Sequence, residues 1–268
     1  MIRAQSALAT ASVLLTACAS ASAAGLAGTS QARASTTSLC RYASARVSGG
    51  AYVVENNEYA SSATECIRLG SGPSFTVAQS SIANRTDGMP GAYPSAFSGC
   101  HWGTCTRGGL AARPVRVSAL RAGTVTSSWS TVQSAARGSV YDVAYDIWVS
   151  RTPRSASAPN GSEIMIWLDH SGPVQPMGRV VARNVRIGNH VYNIWYSPPA
   201  TPGNGDTISY TMTRPARAVS RLDLGAVIRN SAARGYTSPS WYLIDVEAGF
   251  ELWHGGAGLA TRSFAVRS

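Results

Sequence analysis

The sequence contains no lysine: all 23 basic residues are arginine, set against 13 Asp and Glu, for a formal net charge of +10. A basic balance attracts phosphate without any sequence code. The arginines, however, are scattered singly among Ser, Ala and Gly and form no cluster, so no nucleic-acid surface is expected. Charged residues of all kinds make up only 13% of the 268 residues and hydrophobic ones 44%, which fits a single large domain with a sizeable core. Beyond the N-terminus no apolar run is long enough to span a bilayer. There is no phosphate-binding loop, dinucleotide fingerprint or internal repeat. Cys-x-x-Cys and His-x-x-x-His spacings are also missing, which argues against a zinc site around Cys100, His101 and Cys105.

The first 24 residues hold one Arg, an apolar run from Leu8 to Ala17, and Ala21-Ser22-Ala23, a small-x-small cleavage pattern. They read as a secretory signal. Leu15-Thr16-Ala17-Cys18 also fits a lipoprotein processing box, which would leave Cys18 acylated and the protein tethered to a membrane. Residues 25–38, rich in Ala, Ser, Thr and Gly and without periodicity, read as a disordered linker. The folded domain is expected over residues 39–268. Its four cysteines, Cys40, Cys66, Cys100 and Cys105, are an even set in an exported chain and imply disulfides, with three pairings open.

From Ser162 to Asp169 the chain alternates. Glu163, Met165, Trp167 and Asp169 take one face of a strand, and Ile164, Ile166 and Leu168 take the other. A carboxylate beside an aromatic plate suits a sugar site, with charge for the anomeric carbon and a flat partner for the ring. Such a site needs a second carboxylate, and Glu251 is the candidate. In Trp241 to Trp253 the even positions Tyr242, Ile244, Val246, Ala248 and Phe250 form a core face, while Asp245, Glu247, Gly249 and Glu251 look the other way. A third strand, Tyr141 to Val149, sends Asp142, Ala144, Asp146 and Trp148 to one face, and the loop 151–161 makes it a neighbour of the Glu163 strand. Val185 to Tyr196 reads as two short strands about a Gly188-Asn189 turn. One helix is expected over Leu222 to Arg234, closing before Gly235 and packing on the back of the sheet.

Several of these segments together resemble the retaining endoglucanases of glycoside hydrolase family 12. They are Tyr-Asp-Val-Ala-Tyr-Asp-Ile-Trp, Glu-Ile-Met-Ile-Trp, Pro-Met-Gly a dozen residues on, and Gly-Phe-Glu-x-Trp followed by Gly-Ala-Gly-Leu-Ala, in the family's order and spacing. The resemblance implies an all-β fold, a jelly-roll sandwich of two curved antiparallel sheets with one helix and an open cleft. It implies Glu163 as nucleophile, Glu251 as acid/base and Asp146 as the carboxyl that hydrogen-bonds the nucleophile. It supports the pairings Cys40 with Cys66 and Cys100 with Cys105. Along the cleft it places Asn57, Tyr59, Trp102, Met165, Trp167, Pro176, Glu247 and Trp253.

The implied function is endo-hydrolysis of β-1,4-glucosidic bonds in cellulose-like or mixed-linkage glucans, by an exported monomer with no metal or organic cofactor. A xyloglucan-specific enzyme of the same fold and a sugar-binding jelly roll without catalysis are the alternatives. Three departures stand out. Tyr59 replaces the family's tryptophan, leaving a smaller stacking face or a plain surface aromatic. Trp102 is either a sugar platform or packing for a disulfide. Asp245 and Glu247 are charged where the family is usually not, glutamine being expected at 247. On a strand residues 245, 247, 249 and 251 share a face at intervals of roughly 6.6 to 6.8 Å, so Glu247 is expected to raise the pKa of Glu251 unless an arginine pairs with it.

Overall fold

The computed structural model describes residues 37–154, 158–199 and 205–268. The signal segment, Cys18 and nearly all of the 25–38 linker lie outside the described residues. Numbered in chain order, the first nine strands are β1 (Ser38–Cys40), β2 (Ser44–Val47), β3 (Tyr52–Glu55), β4 (Glu65–Leu69), β5 (Phe75–Ser80), β6 (Ser95–His101), β7 (Thr104–Cys105), β8 (Val115–Arg116) and β9 (Thr126–Val132). The next nine are β10 (Val140–Ser150), β11 (Ser162–Ser171), β12 (Arg179–Ile187), β13 (His190–Ser197), β14 (Asp206–Met212), β15 (Ala218–Asp223), β16 (Tyr242–Gly249), β17 (Leu252–His254) and β18 (Ala260–Arg267). The smaller sheet runs β1-β4-β5-β18-β9-β15. The larger runs β12-β13-β14-β11-β10-β16-β6-β3-β2, with β17 beside β10, β7 beside β6 and β8 beside β16.

The two sheets close over one core. Trp129 of β9 packs edge-on against Tyr145 of β10 with ring centroids 5.1 Å apart, and also meets Phe250, which meets Phe75 of β5. Edge-to-face contacts of this kind add to the burial of large apolar area. The polar ends of the two amphipathic rings are satisfied: Trp129 Nε1 donates to Thr261 Oγ1 at 3.1 Å and Tyr145 O–H to Ser127 Oγ at 3.1 Å. Alternate residues of the same strands point away from this core, and these carry the acids.

The expected neighbours pair as predicted, β10 with β11 and with β16. The all-antiparallel expectation is corrected at one place, where β11 and β14 run parallel with Glu163 opposite Thr207. Strict alternation also fails twice. On β11 a bulge at Leu168 puts Asp169 opposite the core residue Val143 and brings His170 opposite Asp142, so Asp169 leaves the face it was expected to share with Glu163. On β16 a bulge at Ile244 makes Leu243 the core residue opposite Val149, in place of the expected Tyr242 and Ile244.

The long helix α2 spans Leu224–Ala233, two residues shorter at its start than expected, because Leu222 belongs to β15 and Asp223 caps the helix by accepting from Ala226 N–H at 2.9 Å. It packs on the face of the larger sheet opposite the acids, where Leu224, Val227 and Ile228 join the core and Tyr210 O–H donates to Asn230 Oδ1. A second, one-turn helix, α1 (Gly109–Ala112), had no sequence signal. Cys40 bonds Cys66 and Cys100 bonds Cys105, the pairing the resemblance supports. No helix of the described residues is long and apolar enough to cross a membrane.

Where β1 and β4 meet, Glu58 and Glu65 are both buried and no oxygen of either carboxyl has a hydrogen-bond partner. Burial first, and the nearby charge of Glu58 after it, push Glu65 up to about 8, against an opposing effect of the Asn56 amide. Its folded-state pKa therefore lies above its unfolded value. Below pH 4.5 the carboxyl is protonated in both states and has no effect on stability. Between 4.5 and 8 the unfolded chain releases the proton while the folded one keeps it, so stability falls as pH rises. Glu65→Gln should remove that fall, raising stability at pH 8 by roughly 3 to 5 kcal/mol relative to the change at pH 4. Urea unfolding at the two pH values checks it, and equal changes at both would refute it.

Candidate active site

The acids lie on the face of the larger sheet turned away from the core. Glu163 sits near the start of β11, directly opposite Trp148 of β10. Glu251 follows β16, and its backbone is locked to β10 in both directions: its N–H donates to Asp142 Oδ1 at 3.1 Å and its carbonyl accepts from Asp142 N–H at 3.1 Å. Both glutamates are half-buried, so solvent and substrate reach them. Between them on β10 lie Asp146 and Asp142, both buried.

These carboxyls shape one another. Burial raises the pKa of Glu163, and a 2.9 Å hydrogen bond donated by Thr207 Oγ1 to its Oε2 pulls it back. The parallel β11–β14 pairing that puts Thr207 opposite Glu163 is what supplies this donor. Glu251 is driven well above the usual carboxyl range, first by burial, then by the charge of Asp142 and a side-chain hydrogen bond with it, then by Glu163. Asp142 is itself pushed up to about 7, chiefly by burial. Asp146 is raised by burial and by Glu163, Glu251 and Glu247, with His101 opposing. Burial raises both glutamates, but Thr207 draws Glu163 back towards the charged form while Asp142 drives Glu251 further towards the protonated one, and carboxyls set apart in this way can serve as an acid/base pair.

The other expected cleft residues divide. Tyr59 faces the acids: burial and then the charges of Glu251, Asp146, Glu163 and Asp142 push its phenol far above its ordinary value. It is thus largely withdrawn from solvent and within reach of the charge of four of the acids. Asn57 holds the same loop, adopting φ 43° and accepting from Tyr93 N–H at 3.0 Å. Trp102 is 53% exposed and stands edge-on to Trp148.

Met165, Trp167 and Trp253, at 5%, 3% and 4% exposure, are instead packed with Ala144 and Val174 into a second apolar cluster under the cleft, and Trp253 Nε1 is held by Gly88 O. Pro176 is buried in the loop beside them, while Met177 is exposed. Asp146 Oδ1 has no hydrogen-bond partner, and the side chain that bonds Glu163 is Thr207.

Glu247 is partnered, but not by an arginine. Its Oε1 lies 3.0 Å from His101 Nδ1 and accepts from Trp148 Nε1 at 3.1 Å, and its Oε2 accepts from Ser95 Oγ at 3.0 Å. The charges that raise Glu251 come from Asp142 and Glu163; Glu247 acts on Asp146. The expectation that Glu247 sets the Glu251 pKa is thus replaced by a pairing with His101. Glu55, His101 and Glu247 bring ligand-type atoms within 4.8 Å of one another, a spacing a metal ion could bridge. Both imidazole nitrogens already face carboxylates, however, Nδ1 towards Asp245 and Glu247 and Nε2 towards Glu55, so charge pairing describes the cluster.

Asp142, Thr207 and His101 were not identified as site residues from the sequence. Asp142 shares the face of Asp146 by simple alternation and was legible to that extent. His101 was weighed only as a zinc ligand beside the cysteines, and Thr207 carried no local signal.

Paired glutamates on the open face of a β-sandwich, with aromatic side chains beside them, define a glycoside hydrolase of the two-carboxylate kind. The sequence model of glycosyl hydrolase family 12 matches residues 50–267, and the chain belongs to that family. It is similar to endoglucanase cel12A from Rhodothermus marinus, with 38% identity, a TM-score of 0.79, and 87% of this chain and 98% of that one covered. A native family 12 xyloglucanase from Bacillus licheniformis superposes with a TM-score of 0.74 at 25% identity, covering 86% of this chain and 99% of that one. A probable cellulase, Cel12b, of Mycobacterium tuberculosis is 33% identical over 128 residues, 48% of this chain and 81% of its own length.

Thr207→Val keeps the shape of the side chain and deletes the hydrogen bond to Glu163. Since that bond lowers the Glu163 pKa, the acid limb of the pH profile of kcat/KM should move up by about 0.5 to 1 unit. An unmoved limb would show that the bond does not control the ionisation of Glu163.

Proposed function

We propose that the protein cleaves internal β-1,4-glucosidic bonds of an extended β-glucan by double displacement, with Glu163 as nucleophile and Glu251 as acid/base. The observation that carries this reading is the unequal treatment of the two glutamates. One is held towards the carboxylate by Thr207, and the other is held towards the acid by Asp142.

In the first step the Glu163 carboxylate attacks the anomeric carbon as Glu251 gives its proton to the departing glycosidic oxygen. In the second, Glu251 takes a proton from water, which attacks the glycosyl-enzyme and frees Glu163. Retention requires the two carboxyls about 5 to 5.5 Å apart. The charge of Glu163 raises Glu251, which supports a shared cleft. Asp146, buried beside Glu163 and raised by its charge, is suited to keep a proton and so to leave the negative charge on the nucleophile.

A linear glucan is favoured over branched xyloglucan because identity is higher to the Rhodothermus endoglucanase than to the Bacillus xyloglucanase. The presence of both glutamates argues against a binder without catalysis. Export by the N-terminal segment and action as a monomer belong to the same reading, and two disulfides support an oxidising compartment.

Glu163→Ala and Glu251→Ala should each lower turnover by about 10² to 10⁴-fold with the fold intact. On an aryl cellobioside with a good leaving group, azide should restore Glu251→Ala and give the β-glycosyl azide. An azide of inverted configuration would sink the retaining assignment. Reducing ends released from barley glucan, carboxymethylcellulose and xyloglucan rank the polymers, and no release from any of them would reject the glucanase reading.

A further inference from the structure

Among the described residues, His101 is the basic side chain that contacts the acids of this face, and the double displacement makes no use of it. It ends β6, buried, next to the Cys100–Cys105 bond. Its Nδ1 lies 2.5 Å from Asp245 Oδ2 and 3.0 Å from Glu247 Oε1, and its Nε2 lies 3.9 Å from Glu55 Oε1. The titratable groups facing it are thus Glu55 from β3 and Asp245 and Glu247 from β16, with Asp146 of β10 within range of its charge. Asp245 can lie this close because Gly99, at φ 153°, has no Cβ to meet its carboxylate.

Burial alone would lower the imidazole, and the charges of Glu247 and Asp245 outweigh it, so His101 stays an imidazolium well above its ordinary pKa. Both carboxyls on Nδ1 are nevertheless raised by burial, Glu247 to about 8. A single cation cannot hold two ionised neighbours out of water. The shorter contact assigns the charge to Asp245 and leaves Glu247 as a hydrogen-bonding group.

That group reaches the cleft. Glu247 Oε1 accepts from the indole N–H of Trp148, which stands opposite Glu163 on one side and Asp245 on the other. Trp102 meets the Trp148 ring at 4.8 Å and 87° and the His101 ring at 5.1 Å and 77°. Trp102 is exposed and held at φ 35°, a strained backbone for a bulky residue, which the surrounding contacts must sustain.

We propose that His101 is a positioning residue for a glucose-binding platform made by Trp102 and Trp148: clamped by Asp245, Glu247 and Glu55, it fixes the carboxyl that holds the Trp148 indole beside Glu163 and supports the edge of Trp102. A buried ion cluster adds little stability over apolar packing. What it provides here is one orientation for the two rings. The inference rests on the β-glucan reading.

The test compares His101→Asn, Glu247→Leu and the double variant with the wild type on cellohexaose. Each single variant breaks the same link, so each should raise KM about 5- to 20-fold with kcat within about 2-fold. The double variant should be no worse than either single one, since coupled sites are not additive. Quenching of tryptophan emission by cellohexaose should shift to higher ligand concentration in parallel. If His101→Asn fails to fold, Glu247→Leu and its quenching curve carry the test alone. Unchanged KM, a loss confined to kcat, or effects that multiply in the double variant would each overturn the proposal. A wild type that hydrolyses no β-glucan would instead overturn the reading beneath it.

Discussion

The period of two along a strand ties the core of this protein to its chemistry. Phe250 and Glu251 are consecutive, as are Tyr145 and Asp146, and Glu163 and Ile164. In each pair one side chain is locked in the inter-sheet core and the other is delivered to the cleft. Packing of Trp129, Tyr145, Phe250 and Phe75 thus fixes the strands that aim the acids. A register slip of one residue would exchange the two sets, so the catalytic geometry depends on the same contacts as the fold.

The cost of this arrangement is electrostatic. Asp142, Asp146, Asp245 and Glu247 are all buried on one face with Glu163 and Glu251 beside them, and burial is the first cause of every raised carboxyl there. The structure answers with protons and hydrogen bonds more than with cations. Thr207 supports a charge on Glu163, Asp142 supports a proton on Glu251, and one imidazolium serves the far end. The arginines that dominate the charge balance are held elsewhere: Arg85 pairs with Asp87 at the surface and Arg41 reaches Glu58.

Departures from regular pairing lie where function needs them. The one parallel pair among the described residues brings Thr207 to Glu163. The bulge at Leu168 removes Asp169 from the cleft and turns His170 towards Trp167, with rings 6.1 Å apart. The bulge at Ile244 keeps Asp245 and Glu247 in register with Trp148 and Asp146. Each bulge changes which face a residue joins while leaving the sequence pattern around it intact.

The resemblance to the family 12 motifs carried the class of fold and brought Glu163, Asp146 and Glu251 to one site, while alternation along the chain was enough to read the three central strands and the adjacency of the Glu163 strand to its neighbour. These last properties are local, set by which residues repeat at a period of two. The bulges, the parallel neighbour, the early start of β15 at the expected head of the helix, and the burial of Trp167 and Trp253 were not legible, because each depends on what packs from a distant segment. The same holds for the charge state of the cleft. The sequence supplies the carboxyls and a histidine, but burial and the partner within 3 Å decide which of them keeps a proton, and only the tertiary structure brings His101, Asp245 and Glu247 together.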